Sequence, residues 1–560
     1  MGPHNDDGTP KLPKSQLTIL AVARFAEPLA YTSVNPYLPA MVRSFGVPQN
    51  KVAKWAGLTS SVFSFAQSLT AVAWGKAADR YGRKPILISG LICTMVCFII
   101  WGMSTSLPMA ITIRAIQGGS NGNVGIIRTM VAEMVPQKEL QPRAFSIMPL
   151  VWSMGSVIGP SFGGSLSEPA TQYPNVFGKI ELFKRFPFLL PNLVASIFFI
   201  ISTLSAAFFL KESLPNKRGE KDWGILVGQR LTRAFRTQPQ PRSPRRSSFV
   251  DGEATAPLLP SKPVRKHAPV KPHSYRDVFT NQTIVNLAAY TFLAFHSVAY
   301  DQNIPVFLSY PVQEHTPKNT KLPFYFTGGF GLDPGEIGTI FTIYGITCCV
   351  VQFLAYPPLA KRFGVLRCLR FTSILMPISY FLTPYPALFA DGTTRIVMLL
   401  LVMVLKAFCV IIAFPSTTIL LTNSCTSLQV LGTLNGFATM FSGLGRAAGP
   451  FSTGVVFDWG ADKGYILSAY WFLGFVALLG AIPVYLIEEG EGPSNEDEDH
   501  SETETETDSE DEDLANSGLV SVNGVTVEEE AVADDDEDDI DDPRASLMRR
   551  HKGYGTTRAS

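Results

Sequence analysis

Long apolar runs, interrupted by short polar turns, organise this chain. About 20 consecutive apolar residues are needed to cross a bilayer. By that measure twelve spans are expected: Leu17–Val42, Ala56–Trp74, Pro85–Met103, Pro108–Met134, Ala144–Leu166, Phe188–Leu210, Ile284–Tyr310, Ile337–Tyr356, Leu366–Pro386, Ile396–Leu421, Val430–Phe457 and Tyr465–Ile487. The ninth is the weakest, broken by Pro377, Pro384 and Pro386. Two polar stretches stand outside this pattern. Residues 211–283 are rich in Arg, Lys, Pro and Ser and lack apolar periodicity; residues 488–560 carry acidic runs such as Asp534–Asp539. Neither can bury a core, so both read as solvated coil. The expected organisation is a short N-terminus (1–16), six spans (17–210), a basic loop (211–283), six spans (284–487) and an acidic tail (488–560).

Composition agrees. Of 560 residues, 46% are hydrophobic and 17% charged, against about 25% charged in soluble proteins. Forty-seven cations balance 47 acids, but the charges concentrate in the loop and the tail. The N-terminus lacks the pattern of a cleaved signal, so the first span should itself direct insertion. The seven cysteines fall in apolar runs or in loops expected in the cytoplasm, and no disulfide framework is implied. The ten-residue turn Gly75–Lys84 packs four cations and one acid between the second and third spans. With the basic loop it places both termini in the cytoplasm, because cations favour that side.

The halves echo each other. Gly155-Ser-Val-Ile-Gly-Pro-Ser-Phe-Gly-Gly164 in the fifth span is matched by Gly445-Arg-Ala-Ala-Gly-Pro-Phe-Ser-Thr-Gly454 in the eleventh. Ala78-Asp-Arg-Tyr-Gly82 is matched by Ala360-Lys-Arg-Phe-Gly364. Repeats six spans apart in the same orientation describe a transporter, with cargo bound at the midplane between the halves.

Several residues in the spans carry candidate chemistry. Glu27 lies about 15 Å into the first span and Arg114 about 10 Å into the fourth from the other side. Intramembrane ionisable groups default to function, so Glu27 and Arg114 are the candidate proton-coupling pair. The competing readings are a static pair between Glu27 and Arg24, and cargo contact alone. Tyr31, Asn35, Gln117, Asn121, Asn123, Tyr290 and Tyr344 are candidate lining residues. Lys406 and Arg446 are candidates for an anionic cargo, with Lys406 alternatively paired to an acid across the cavity. His296 reads as a satisfied helix-interface histidine, and one His makes no metal site. Gly155, Gly159 and Gly163 form a strip that admits a neighbouring helix closely; with Pro160, Gly449 and Pro450 they are the candidate hinge. No phosphate-cradling Gly-Lys-Ser/Thr loop is present, so ATP-driven transport is not expected, nor is enzymatic activity.

Gly75-x-x-x-Asp79-Arg80-x-Gly82-Arg83-Lys84, Arg114-x-x-Gln117-Gly118 and Gly155-x-x-x-Gly159-Pro160-x-x-Gly163-Gly164 resemble the signatures of the major facilitator superfamily, in its twelve-span drug:proton antiporter branch. Ala26–Pro39 and Asn121–Glu133 are similar to a fungal and plant subgroup related to the zinc-induced facilitator-like transporters. The resemblance implies an all-α membrane protein of two pseudo-symmetric six-helix bundles. It implies no cofactor beyond a proton gradient. It also implies export of organic compounds by alternating access, as a monomer in the plasma membrane or the vacuolar membrane. A vacuolar transporter of a metal chelate, cation or organic acid, and a transporter-like sensor, are the alternatives. Gly75, Asp79, Arg80, Gly82 and Arg83, with Glu133 as Arg83's partner, form a candidate gate. Asp79 is expected to face Ser427–Leu431 when the cytoplasmic side is shut. Arg245–Ser248 and Ser501–Asp513 are candidate kinase sites.

Overall fold

In a computed structural model of the chain, residues 12–135, 140, 144, 147–214, 217, 222–235, 279–316, 320–424 and 428–490 are described. The acidic tail, most of the basic loop and both candidate kinase sites lie outside them. Each expected span coincides with one helix or a broken pair. In the first half these are α1 (Lys14–Ser33) with α2 (Leu38–Ser44), α3 (Val52–Tyr81), α4 (Arg83–Gly102), α5 (Leu107–Gly119) with α6 (Asn123–Met134), α7 (Ile147–Ser165) and α8 (Leu189–Phe209). A further helix, α9 (Trp223–Phe235), follows. The second half contains α10 (Asn281–Ser309), α11 (Pro334–Val350, prolonged through a wide turn to Phe363), α12 (Val365–Leu382), α13 (Gly392–Asn423), α14 (Leu428–Lys463) and α15 (Ser468–Leu486). All belong to one unit, Met1–Asn495.

Seven of the described helices are long and apolar enough to cross a membrane: α4, α8, α10, α11, α12, α13 and α15. The rest fall short for a physical reason. α1, α3 and α14 carry charges and amides, the fourth span is broken, and α7 is rich in Gly and Ser. Of these, α3 packs against α14 across the seam between the halves and α7 against α11.

Two departures from the sequence reading stand out. The fourth span is not continuous but breaks at Ser120–Gly122. Gly118, Gly119 and Gly122 supply little helix propensity there, and Trp74 Nε1 donates to the freed Gly119 carbonyl (2.7 Å). The basic loop is not coil throughout, because α9 is helical. Its start is capped by Asp222, which accepts from the backbone N–H of Gly224 (2.9 Å) and Ile225 (3.2 Å). Gly224 and Gly228 let it sit against the Ala207 and Phe208 carbonyls of α8.

The repeat read from the sequence is present in the backbone. Gly82 (φ 108°, ψ 151°) joins α3 to α4, and Gly364 (φ 86°, ψ 155°) occupies the matching joint before α12. Both sit where a side chain would be strained. The glycine strips match as well. A β-carbon at Gly155, Gly159 or Gly163 would collide with α1, and one at Gly445 or Gly449 would collide with α10.

Candidate cargo cavity and its two ends

Between the halves lies a small cavity lined by Tyr31, Val34, Asn35, Ser60, Phe63, Arg114 and Gln302. Tyr31 from α1 meets Phe63 (6.0 Å between centroids) and Trp152 (5.8 Å). Gln302 on α10 bridges the halves: its Oε1 accepts from Ser60 Oγ (2.6 Å), and its Nε2 donates to Asn35 Oδ1 (3.0 Å). Gln302 was not singled out in the sequence. Its signal there is an amide inside the polar triplet Asp301-Gln302-Asn303 of an otherwise apolar span.

Arg114 is buried on α5 in a box of rings. Its guanidinium lies 4.3 Å from the Trp101 ring centroid and 5.8 Å from those of Phe63 and Phe98. Nη1 donates to Gln117 Oε1 (3.0 Å), and Nε has no hydrogen-bond partner. Glu27 does not meet Arg114 in this conformation. It pairs with Arg24 one turn away and accepts from Asn121 Nδ2 (2.7 Å). The break in the fourth span is what presents that amide. Asn123 is buried against Gly90, with its amide unpartnered, and packs α6 onto α4 instead of lining the cavity. Tyr290 contacts Phe414 edge-on (6.1 Å).

Lys406 on α13 has no exposed surface. Its Nζ donates to Asp301 Oδ1 (2.5 Å) and Tyr344 Oη (2.8 Å) and lies 4.9 Å from the Tyr300 ring centroid. This is the paired alternative: a buried cation with a carboxylate, an acceptor hydroxyl and aromatic faces. The pair could not be read from sequence, because Asp301 and Lys406 are 105 residues apart. His296 Nδ1 meets Tyr380 Oη (2.9 Å) in a buried helix interface. No group of three or more metal-ligating side chains occurs among the described residues.

At the end carrying the Gly75–Lys84 turn, the described ion pairs run within the first half, and Arg128 of α6 donates across the seam to Thr439 of α14 (3.3 Å). Arg83 bonds Asp79 (2.7 Å) and Glu133 (3.0 Å), and Lys84 bonds Asp222 (2.5 Å). Glu212, just past α8, accepts from the backbone N–H of Arg83 and Lys84 (3.0 Å each). A carboxylate there complements the positive end of α4. Arg80 lies over the Tyr81 ring (5.5 Å). Of Ser427–Leu431, the expected partner region of Asp79, residue 427 lies outside those described. Nothing lies within 4 Å of a β-carbon placed at Gly75, Gly125 or Gly436, on the turn-end portions of α3, α6 and α14.

The far end is shut. The Asp458 carboxylate of α14 accepts from the backbone N–H of Ala53 (3.2 Å) and Lys54 (2.9 Å), the first turn of α3. Gly57 packs against the Pro450 carbonyl, Gly454 against that of Ala53, and Gly164 against that of Pro334 in α11. The Phe451 N–H donates to Ser61 Oγ (3.1 Å). Arg43 donates to the Ser309 carbonyl (3.3 Å). In the adjoining loop, burial pushes the Glu168 carboxyl up, opposed by Arg43.

A cavity between two repeated helical bundles, closed at one end by inter-bundle contacts, defines a secondary-transporter architecture. The chain belongs to the Major Facilitator Superfamily, which it matches over residues 20–316 and 319–527. It is 38% identical over 510 residues to a major facilitator superfamily multidrug transporter of Aspergillus fumigatus, covering 86% of this chain and 84% of the relative. It is 26% identical over 457 residues to the protein Zinc Induced Facilitator 1 of Arabidopsis thaliana, covering 80% and 85% respectively. Among solved structures, a D-xylose–proton symporter matches with a TM-score of 0.60 at 10% identity, over 86% of this chain and 99% of that one, a likeness of fold. The protein is a multi-pass membrane transporter of small molecules and not an enzyme.

Proposed function

We propose that the protein is a proton-driven antiporter that exports organic compounds from the cytoplasm by alternating access. The supporting observation is the seal at the far end, where inter-bundle contacts gather, whereas toward the turn end the described ion pairs stay within the first half and Arg128 of α6 donates across to Thr439 of α14. With the basic turn and loop on the cytoplasmic side, this conformation loads cargo from the cytoplasm. Glu27 is the coupling acid. Its carboxylate holds Arg24 and Asn121 together, so a proton on Glu27 weakens the tie between α1 and the break in the fourth span. The Gly155–Gly163 and Gly445–Gly449 strips hold α7 on α1 and α14 on α10 so that each bundle moves as a unit, and the Asp79–Arg83–Glu133 cluster is the gate on the cytoplasmic side. The name of the Aspergillus relative supports a drug-like cargo.

The test is transport by full-length protein in proteoliposomes, with the lumen standing for the outside. A panel of fluorescent organic compounds of either charge is offered outside while an acid-lumen gradient is imposed. Uphill accumulation that collapses on adding a protonophore is expected. Accumulation indifferent to the protonophore would exclude proton antiport.

A further inference from the structure

Helix α9 presents an exposed apolar stripe. Trp223, Leu226 and Val227 are all exposed, Trp223 by 77%. With Arg230, also exposed, they stand at i, i+3, i+4 and i+7, one face of a helix. Another face is committed to the protein. A β-carbon at Gly224 or Gly228 would collide with the Ala207 or Phe208 carbonyl of α8. Asp222 fixes the start of the helix: it caps the first turn and pairs with Lys84 at the start of α4. Rolling α9 to hide the stripe would break both attachments.

The place of α9 says what covers it. α8 is long and apolar enough to cross a membrane, and it exposes Ile197, Ile200, Ile201 and Leu204 at the same helical spacing, the face such a span turns to acyl chains. Phe208 continues that face in register, and Gly228 sits against its carbonyl. α9 therefore lies where the lipid-facing side of α8 ends, at the depth of the headgroups. An exposed Trp at that depth is an interfacial anchor. The charge selects the kind of lipid. Arg230 stands on the stripe, and from Trp223 to Val250 the sequence holds six arginines and no acid. Asp222, the acid just before them, is taken by Lys84. An apolar face flanked by unopposed arginines fits an anionic bilayer surface.

We propose that α9 is an interfacial helix that binds anionic phospholipid of the cytoplasmic leaflet, with Trp223, Leu226 and Val227 against the acyl chains and Arg230 on a lipid phosphate. Guanidinium matches phosphate oxygens bidentately, so the helix holds the headgroup and the chain together. Because Asp222 ties α9 to Lys84, the lipid also supports the start of α4, beside the gate. The choice of leaflet rests on the orientation proposed above; the lipid contact itself depends neither on proton coupling nor on the direction of transport.

The test uses full-length protein in nanodiscs, cysteine-free except for a bimane-labelled Leu226→Cys. Its fluorescence is quenched in turn by doxyl-labelled phosphatidylserine, doxyl-labelled phosphatidylcholine and aqueous iodide. The lipids should quench and iodide should not. Half-maximal quenching by the serine lipid should need at least about fivefold less lipid than by the choline lipid, the attraction of one cation at a membrane surface. Arg230→Gln should lower that preference about fivefold and keep the lipid contact. Quenching by iodide in place of lipid would put the stripe in water, and quenching by none of the three would put protein over it, a second copy or the acidic tail. Either result overturns the proposal, as do equal quenching by the two lipids and an unchanged preference in Arg230→Gln. Should the cysteine-free protein misfold, benzoylphenylalanine in place of Leu226 in the otherwise native chain serves instead. Mass spectrometry of the photo-crosslink formed in an equal mixture of the two lipids should then show chiefly phosphatidylserine, and a crosslink to protein or equally to both lipids would overturn the proposal.

Discussion

Removing the Asp458 side chain should open the far end. The carboxylate caps the first turn of α3 from the other bundle, accepting from two backbone N–H groups at 3.2 and 2.9 Å. Loss of a helix N-cap costs about 0.5–2 kcal/mol, typically about 1, and a negative charge at a helix start adds about 0.3–1 kcal/mol. When the end opens, water takes over both N–H groups and the carboxylate. The whole contribution therefore belongs to the closed state. Asp458→Ala should shift the closed-to-open ratio by about 1–2 kcal/mol, or about 5- to 30-fold toward open, at about 1.4 kcal/mol per factor of ten. Asp458→Asn, which keeps one acceptor but no charge, should shift it less. The assay is a distance distribution between spin labels at Lys51 and Asp462, both exposed at the far end, in a cysteine-free background. The longer-distance population should grow in the order wild type, Asn, Ala. Identical distributions in all three proteins would refute the idea that this contact holds the end shut.

Gly82→Ala should lower thermal stability more than Gly364→Ala. Both incur the strain of a positive φ, about 1–2 kcal/mol, but only at Gly82 would the new carbon also meet Glu212 Oε2, at 2.7 Å; equal melting shifts would count against the crowding. Lys406→Met should destabilise by about 1–3 kcal/mol because it leaves the half-buried Asp301 carboxylate without its partner. Lys406→Met combined with Asp301→Asn should recover most of that loss, and melting curves of the single and double variants decide it. Glu212→Ala removes the acceptor for two N–H groups at the start of α4 and should cost about 1 kcal/mol, with faster amide exchange at Arg83 and Lys84 as the readout.

What the sequence revealed and what it hid divide along physical lines. Helices and joints rest on local rules, so the spans, the Gly82 and Gly364 joints and the glycine strips could be read from run length and spacing. The break in the fourth span was local too, but three glycines in a membrane helix are as compatible with close packing as with a break. Helix α9 was obscured by the Arg- and Pro-rich residues after it. Partnerships of buried charges are not local. Lys406 and Asp301 could be recognised singly as misplaced in lipid, but only packing of α10 against α13 makes them a pair. Glu27 is the converse case: of the two partners the sequence offered, the nearer one, Arg24, is the one it holds in this conformation, while Arg114 is boxed by rings from α3 and α4. Gln302 and Asp458 escaped notice because their roles depend on what the opposite bundle presents to them.

The central claim is that a proton on Glu27 drives the cycle, and the direct measurement is flux by Glu27→Gln in proteoliposomes of a panel compound that the unmodified protein accumulates. The neutral amide mimics the protonated acid. The account predicts that cargo-for-cargo exchange persists, while uphill accumulation driven by an imposed pH gradient disappears. A Glu27→Gln protein that still concentrates cargo in response to the gradient, as the unmodified protein does, would contradict it.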